Sequence, residues 1–299
     1  MSLLTKTVVI MGGMFIAAGI FVLAVSQTFL LGSFARLDET RVAKNVERGL
    51  DALADKIGYL DATTSDWAAW DDTYTFIENA NEGYVTANLV DGTFITLDLN
   101  LMLFINCAGE IVFAKAFDLE NETEIALPAG LQQHVSTGSL LLQHDNPQSS
   151  LKGIILLPDG PMLVASRPIL TSDEQGSIRG TLIMGRYLDQ TKVEELAALA
   201  HTSFTISRLG DIETPSGLQA ASLFAPEKPP ILVRTLDDDT IVGYAAIEDI
   251  YSKPGIVLMV NMPREMYAQG VAAVRYLILF LITIGLITSI AGLILLRKF

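Results

Sequence analysis

The densest concentration of chemistry-bearing side chains is D-W-A-A-W-D-D-T-Y at residues 66–74. Placed on one helix, Trp67, Trp70, Asp71 and Tyr74 stand at i, i+3, i+4 and i+7 and share a face. Two aromatic walls beside a carboxylate suit an amine or other cationic ligand, through cation–π attraction and charge pairing. The same spacing suits a helix that packs its aromatic face into a core and spends Asp71 as a cap. Asp71 and Asp72 are neighbours, so on a helix they point about 100° apart and make a poor acid/base couple. Arg167 and Arg186 each interrupt an apolar run. A buried guanidinium needs a partner, either a protein carboxylate, which is the favoured reading, or a ligand anion.

Other chemistries find little support. No Gly-x-Ser-x-Gly, P-loop or His-Glu-x-x-His motif occurs, so neither an enzyme nor a bound cofactor is expected. A lone cysteine, Cys107, excludes an internal disulfide framework and Cys-rich metal sites. At the end of a strand-like run it reads as a small buried hydrophobe. His134, His144 and His201 are scattered and read as solvated, leaving no zinc set. With 34 acidic against 20 basic residues the net charge is −14, which argues against nucleic-acid partners.

The elements that must position these residues begin in a membrane. Thr7–Leu31 and Tyr276–Leu296 are free of charge for 25 and 21 residues, each long enough to span a bilayer. The run at 7–31 exceeds a signal-peptide core of about 7–15 residues, so it is expected to stay uncut. Between the two spans lie all 34 acidic and 17 of the 20 basic residues. An acidic loop is easier to place outside than against anionic cytoplasmic lipid.

Residues 35–65 lack proline and carry Val46, Leu50, Leu53, Ile57 and Leu60 at heptad spacing, which predicts a stalk helix. That stripe could be a dimer seam or could pack on its own domain. From Thr93 the texture turns to strands: T-F-I-T-L-D-L, L-M-L-F-I-N-C, then I-V-F-A-K-A-F after a turn at 108–110. Pro128 opens a predicted short helix over 128–136. A further meander runs through G-I-I-L-L, M-L-V-A-S-R-P-I-L and R-G-T-L-I-M-G-R-Y. Helix 189–200, strands near 202–208, 231–236, 240–248 and 256–262, and a helix opened by Pro263 complete the chain. A loose Ser/Pro-rich stretch occupies 213–230.

At these residues the sequence resembles a known family. The run D-W-A-A-W-D-D-T-Y-T-F followed by Y-V-T-A-N-L is similar to the signature of the fourth class of CHASE domains. The turn F-I-N-C-A-G-E-I-V, the segment S-R-P-I-L-T-S-D-E-Q-G-S-I-R-G-T-L-I-M-G-R and the closing P-R-E-M-Y-A-Q-G also resemble it. That class comprises extracytoplasmic sensory modules of prokaryotic histidine kinases, diguanylate cyclases and related receptors. The resemblance covers about residues 35–270. It implies an α+β fold, with a long N-terminal helix and two Cache/PAS-like antiparallel sheets flanked by two transmembrane helices. Its parts would be a span at 7–31, a stalk at 35–65, a membrane-distal sensory domain at 66–188, a smaller membrane-proximal part at 189–262 and a span at 276–296.

The expected function is therefore ligand sensing by residues 32–275 outside the plasma membrane of a two-pass, homodimeric receptor. The family motif marks Trp67, Trp70, Asp71, Asp72, Tyr74, Asn88 and Arg167 as candidate ligand-binding positions, and Arg186 joins them as a strand-interrupting cation. The small-molecule ligand is not named by the resemblance. Receptors of this class continue into a cytoplasmic output domain, whereas three residues follow Leu296. The expectation is either a truncated chain or a separate cytoplasmic signalling partner. A membrane-tethered module that binds a periplasmic or extracellular protein is the alternative.

Overall fold

The computed structural model describes residues 3–174, 176–209 and 231–298. The Ser/Pro-rich stretch expected at 213–230 lies outside the described residues. The fold is α+β with two antiparallel sheets. Contacts divide the chain into two compact units: 1–44 with 233–243 and 261–299, and 45–232 with 244–260.

In the first unit, α1 (Leu3–Val25) passes through a π-helical turn, Ser26–Leu30, into α2 (Leu31–Ala68) without a break. Helix α1 packs on α7 (Glu265–Lys298). Among the described residues one segment, Glu265–Gly292, is long and apolar enough to cross a bilayer; Gly12–Val25 is apolar but shorter. Near the start of α7 the two helices are tied by charge. Asp38 of α2 is buried, and its carboxylate accepts the backbone N–H of Met266 at 3.2 Å and of Tyr267 at 2.9 Å. It thus satisfies two of the orphan donors at the α7 N-terminus. Arg41 adds an exposed ion pair to Glu265 at 3.0 Å.

In the second unit, α2 buries Val46, Leu53 and Leu60 from the heptad stripe. Gly49 on the same face leaves room for Phe204 and Leu258; a Cβ there would lie 2.9 Å from Leu258 Cδ1. The stripe therefore packs on its own domain. Three short helices follow: α3 (Asp71–Asn79), α4 (Glu82–Asn88) and α5 (Asp91–Leu97). The last replaces the strand expected from T-F-I-T-L-D-L. Asp91 opens it in its first turn, Phe94 is buried, and Asp98 closes it in the left-handed conformation. Packing of Phe94 overrides a β-leaning local sequence.

A six-stranded sheet is built from β1 (Leu101–Asn106), β2 (Ile111–Asp118), β3 (Thr123–Ile125), β4 (Leu151–Leu157), β5 (Gly160–Pro168) and β6 (Gly180–Tyr187). Its order is β3-β2-β1-β6-β5-β4. Both faces of β1 are covered, which explains its unbroken L-M-L-F-I. Phe104 points toward α3, with its ring 5.3 Å from Phe76. Leu101, Leu103 and Ile105 face the other way and share a core with Leu131, Val135 and Leu141. Those three belong to a cap segment, residues 126–150. It holds only two 3-10 turns, Leu131–Gln133 and Leu140–Leu142, where a short helix over 128–136 is expected.

Helix α6 (Gln190–Leu199) is capped by Asp189, whose carboxylate accepts from Lys192 N at 2.8 Å. The second sheet contains β7 (Thr205–Arg208), β8 (Ile231–Thr235), β9 (Thr240–Glu248) and β10 (Pro254–Pro263), in the order β7-β10-β9-β8. The turn between β9 and β10 reaches the six-stranded sheet, where Ile250 N–H donates to the Ile154 carbonyl at 3.0 Å.

Candidate functional site

The aromatic cluster does not lie on one helical face. Helix α2 ends at Ala68, because Ala69 pairs with Leu170 as an isolated parallel bridge and Leu170 N–H donates to the Ala68 carbonyl. Trp70 is extended (φ −134°, ψ 131°) and α3 begins only at Asp71. Trp67 and Trp70 meet edge to face at 6.1 Å, and Trp70 leans on Tyr84 at 5.8 Å. Tyr84 stacks on Phe76, which touches Phe104 and Phe113. The cluster is continuous with the helix-side core of the sheet. Burial pushes the Tyr84 hydroxyl up to about 12, against the opposing effect of its Thr73 contact.

Polar members of the motif have protein partners. Asp71 accepts from Ser172 N at 2.9 Å and returns its own N–H to Ser172 Oγ at 3.1 Å, a reciprocal latch on the loop after β5. Tyr74 donates to the Ser177 carbonyl, and the Arg179 guanidinium sits 3.9 Å above its ring. Asp72 is exposed. Asn88 ends α4, and its carbonyl accepts from Thr93 Oγ1 at 2.7 Å.

Both strand arginines are ion-paired. Arg167 grips Asp61 of α2 with two bonds of 2.6 Å, and Lys152 and Ser150 complete the shell of a carboxylate only 5% exposed. Burial opposes ionisation of Asp61, yet the bonds from Arg167, Lys152 and Ser150 outweigh it and hold the carboxyl below its ordinary value. Arg186 reaches Asp98 at 3.0 Å, Asn100 Oδ1 at 2.5 Å and Asp189 at 2.9 Å. Asp98 also receives Lys56 and Lys192, so α2, α5, β6 and α6 converge on one carboxylate. There too burial is outweighed, chiefly by the two lysines, and the carboxyl is held low.

A deficit appears on the opposite face of the sheet, in the cap segment. A cavity of about 280 Å³ opens there, lined among others by Asn106, Cys107, Thr137, His144, Ile178 and Thr181. His144 is half-buried rather than solvated. Its Nε2 lies 3.2 Å from Ser166 Oγ, and its Nδ1 is buried without a partner among the described residues. Burial drives its pKa down to about 4; Arg167 adds to that and Asp145 opposes it. Leaving such an atom unpaired costs about 1–3 kcal/mol. Cys107, expected to be buried, is exposed at the turn between β1 and β2 and lines this cavity. Gly180 also lines it, and a Cβ there would strike the Ile105 carbonyl oxygen and Ile77 of α3, so only glycine fits.

The same segment borders a second, more polar cleft of about 530 Å³, lined among others by His134, Ser139, Asp249, Tyr251 and Lys253. Ser139 Oγ is buried there without a partner among the described residues. His134 Nδ1 is 2.7 Å from the Tyr251 hydroxyl, and the rings stack at 5.5 Å. The cap segment thus touches a cavity on one side and the β9–β10 turn on the other. Sequence reasoning passed over His144, Ser139 and Ser166. One signal was available: Ser166 sits inside the apolar run M-L-V-A-S, and a fully buried hydroxyl must find a partner.

Comparison with known proteins adds three findings. The CHASE4 domain family matches residues 52–207. The methanogenesis regulatory histidine kinase FilI of Methanothrix harundinacea (strain 6Ac) is 28% identical over 264 residues, 88% of this chain. The chain spans 29% of that kinase's length. Among solved structures, a domain from a Vibrio parahaemolyticus protein assigned to the sensory box/GGDEF family overlays with a TM-score of 0.48. The identity is 12%, over 80% of this chain and 99% of that one. The periplasmic domain of Vibrio cholerae LuxQ overlays with a TM-score of 0.42 at 12% identity, over 74% and 97% of the two chains.

Proposed function

The chain belongs to the CHASE4 domain family, and from that premise we propose that it is the extracytoplasmic sensory part of a two-span receptor of the histidine-kinase type. Residues 7–31 and 276–296 anchor it, and residues 32–275 face the outside. A small molecule enters the cavity beside His144 and shifts the balance between two arrangements of the cap segment. It does so by the difference in its affinity for the two. His134 and Tyr251 pass that shift to the β9–β10 turn, and β10 runs on in the chain to α7.

The observation that carries this reading is the position of the cap segment, which closes an unsatisfied cavity with His144 and holds Tyr251 with His134. The test is a thermal-shift screen of the full chain in lipid nanodiscs against a metabolite panel. Saturation to about 100 times Kd adds roughly 2.7 kcal/mol, a readily measured rise in Tm. Cys107→Trp, which fills the cavity mouth from an exposed turn, is expected to abolish the shift while leaving the unliganded Tm within a few degrees. A panel that shifts nothing, or a hit that Cys107→Trp binds equally well, overturns the reading.

A further inference from the structure

We infer that the His144 cavity takes a small, uncharged molecule that donates a hydrogen bond to His144 Nδ1, such as a primary amide or an alcohol. This deepens the sensory reading and rests on it. The argument starts from one proton. Ser166 Oγ lies 2.5 Å from the Leu141 carbonyl, an oxygen that can only accept, so the hydroxyl hydrogen is committed to that bond. The neighbouring contact, His144 Nε2 to Ser166 Oγ at 3.2 Å, then requires Nε2–H as donor and the hydroxyl lone pair as acceptor. An imidazole with its proton on Nε2 carries a lone pair on Nδ1. That Nδ1 has no donor among the described residues and is closed to water in this arrangement, on a residue that lines the cavity, so the guest reaches it as the cap segment shifts to its second arrangement.

The walls specify the charge of the guest. Apart from His144, whose ring burial keeps neutral, none of the described lining side chains is ionisable except the Cys107 thiol. A carboxylate guest would face the Nδ1 lone pair, and an ammonium guest would find no carboxylate on the wall. Asn106 is engaged mainly within its own turn, with one Nδ2 hydrogen left over. Its Oδ1 accepts from Ala108 N and Glu110 N, and its Nδ2 donates to Glu110. Hydroxyls of Thr137 and Thr181, which can donate or accept, serve the other end of an amide or alcohol. A volume of about 280 Å³ sits at the lower edge of small-molecule sites.

The cysteine supplies the readout, because Cys107 is the chain's sole cysteine, is exposed and lines the cavity. The full chain in nanodiscs is treated with N-ethylmaleimide in the presence of acetamide or ethanol, with acetate and methylammonium as charged probes of matched size. In parallel the imidazole nitrogens of His144 are followed by 15N NMR. At about ten times Kd, acetamide or ethanol is expected to slow labelling about tenfold, as occupancy alone requires. The Nδ1 resonance is expected to move from that of a free lone pair toward that of an acceptor. His144→Phe keeps a ring without the acceptor and should lose the protection. His144→Asn, which returns a carbonyl near the Nδ1 position, should recover part of it.

Three results overturn the inference: a proton on Nδ1 in the free protein, equal protection in His144→Phe, or acetate or methylammonium protecting better than the uncharged probes. In the last case sensing at this cavity survives and only the ligand class falls. If no probe of any charge protects Cys107 and the metabolite panel also shifts nothing, the sensory reading falls with it.

Discussion

Two polar constellations lie on the same sheet and could hardly differ more in how they are satisfied. Around Asp98, every charge faces an opposite charge: Arg186, Lys56 and Lys192 converge on it, and Asn100 and Asp189 take up the rest of the guanidinium. In the cap segment, Ser139 Oγ and His144 Nδ1 are buried and unpartnered among the described residues. A closed network of this kind has nothing left to offer a ligand, and breaking it exposes buried charge. A segment with unpaired atoms is held less firmly and gains when a guest supplies what is missing. Polarity alone therefore does not mark a site; the deficit does.

The sharpest way to break this comparison is Arg186→Met. It leaves Asp98, Asn100 and Asp189 without their shared donor and is expected to cost about 3–5 kcal/mol in denaturant unfolding of the detergent-solubilised chain. A loss below about 1 kcal/mol would mean that the network is not what fastens β6 to α6. Asp61→Asn follows, with an expected loss of about 2–4 kcal/mol as Arg167 and Lys152 lose their carboxylate.

Both carboxyls are held below their ordinary value, so the stability they contribute is present above about pH 4 and is lost as pH falls through their folded values. Acid titration of the unfolding midpoint should show this, with a shallower fall in Asp61→Asn. His144 acts in a higher window. The unfolded ring takes a proton near 6.5 and the folded one only near 4, so acidification across that interval favours the unfolded chain. His144→Phe should flatten that part of the curve. The smallest effect is the most telling for the cap segment. Ser139→Ala removes a buried hydroxyl that has no partner among the described residues, and is expected to change stability by between zero and about +1 kcal/mol. A clear loss would reveal a partner for Ser139 and weaken the contrast.

Sequence periodicity carried the stalk helix and most strands of both sheets, because burial on a fixed face writes a pattern of 3.5 or 2 into the chain. It failed where a local break has a distant cause. Nothing in A-A-W marks the end of α2 at Ala68; the break comes from Leu170, a hundred residues away in the chain. T-F-I-T-L-D-L alternates like a strand and becomes α5, since Phe94 finds its pocket against Phe117. The pairing of Arg167 and Arg186 with carboxylates was legible from charge inside apolar runs. His144 was not, since Q-H-D-N-P-Q reads as a solvated loop and the ring's partner, Ser166, comes from a strand 22 positions on.

The carboxylate of Asp38 has a mechanical consequence. It joins α2 to the first turn of α7 through two bonds, of 3.2 and 2.9 Å, across 228 and 229 positions of chain. A hydrogen bond of about 2.9 Å weakens steeply with stretching or misalignment, so sliding one helix past the other by a single residue, about 1.5 Å, forfeits both. The joint behaves as a detent rather than a hinge. The two helices either travel together or let go, and a graded displacement between them has no stable resting place at that joint. Asp38→Asn, which retains one acceptor oxygen, would turn that click into a soft stop.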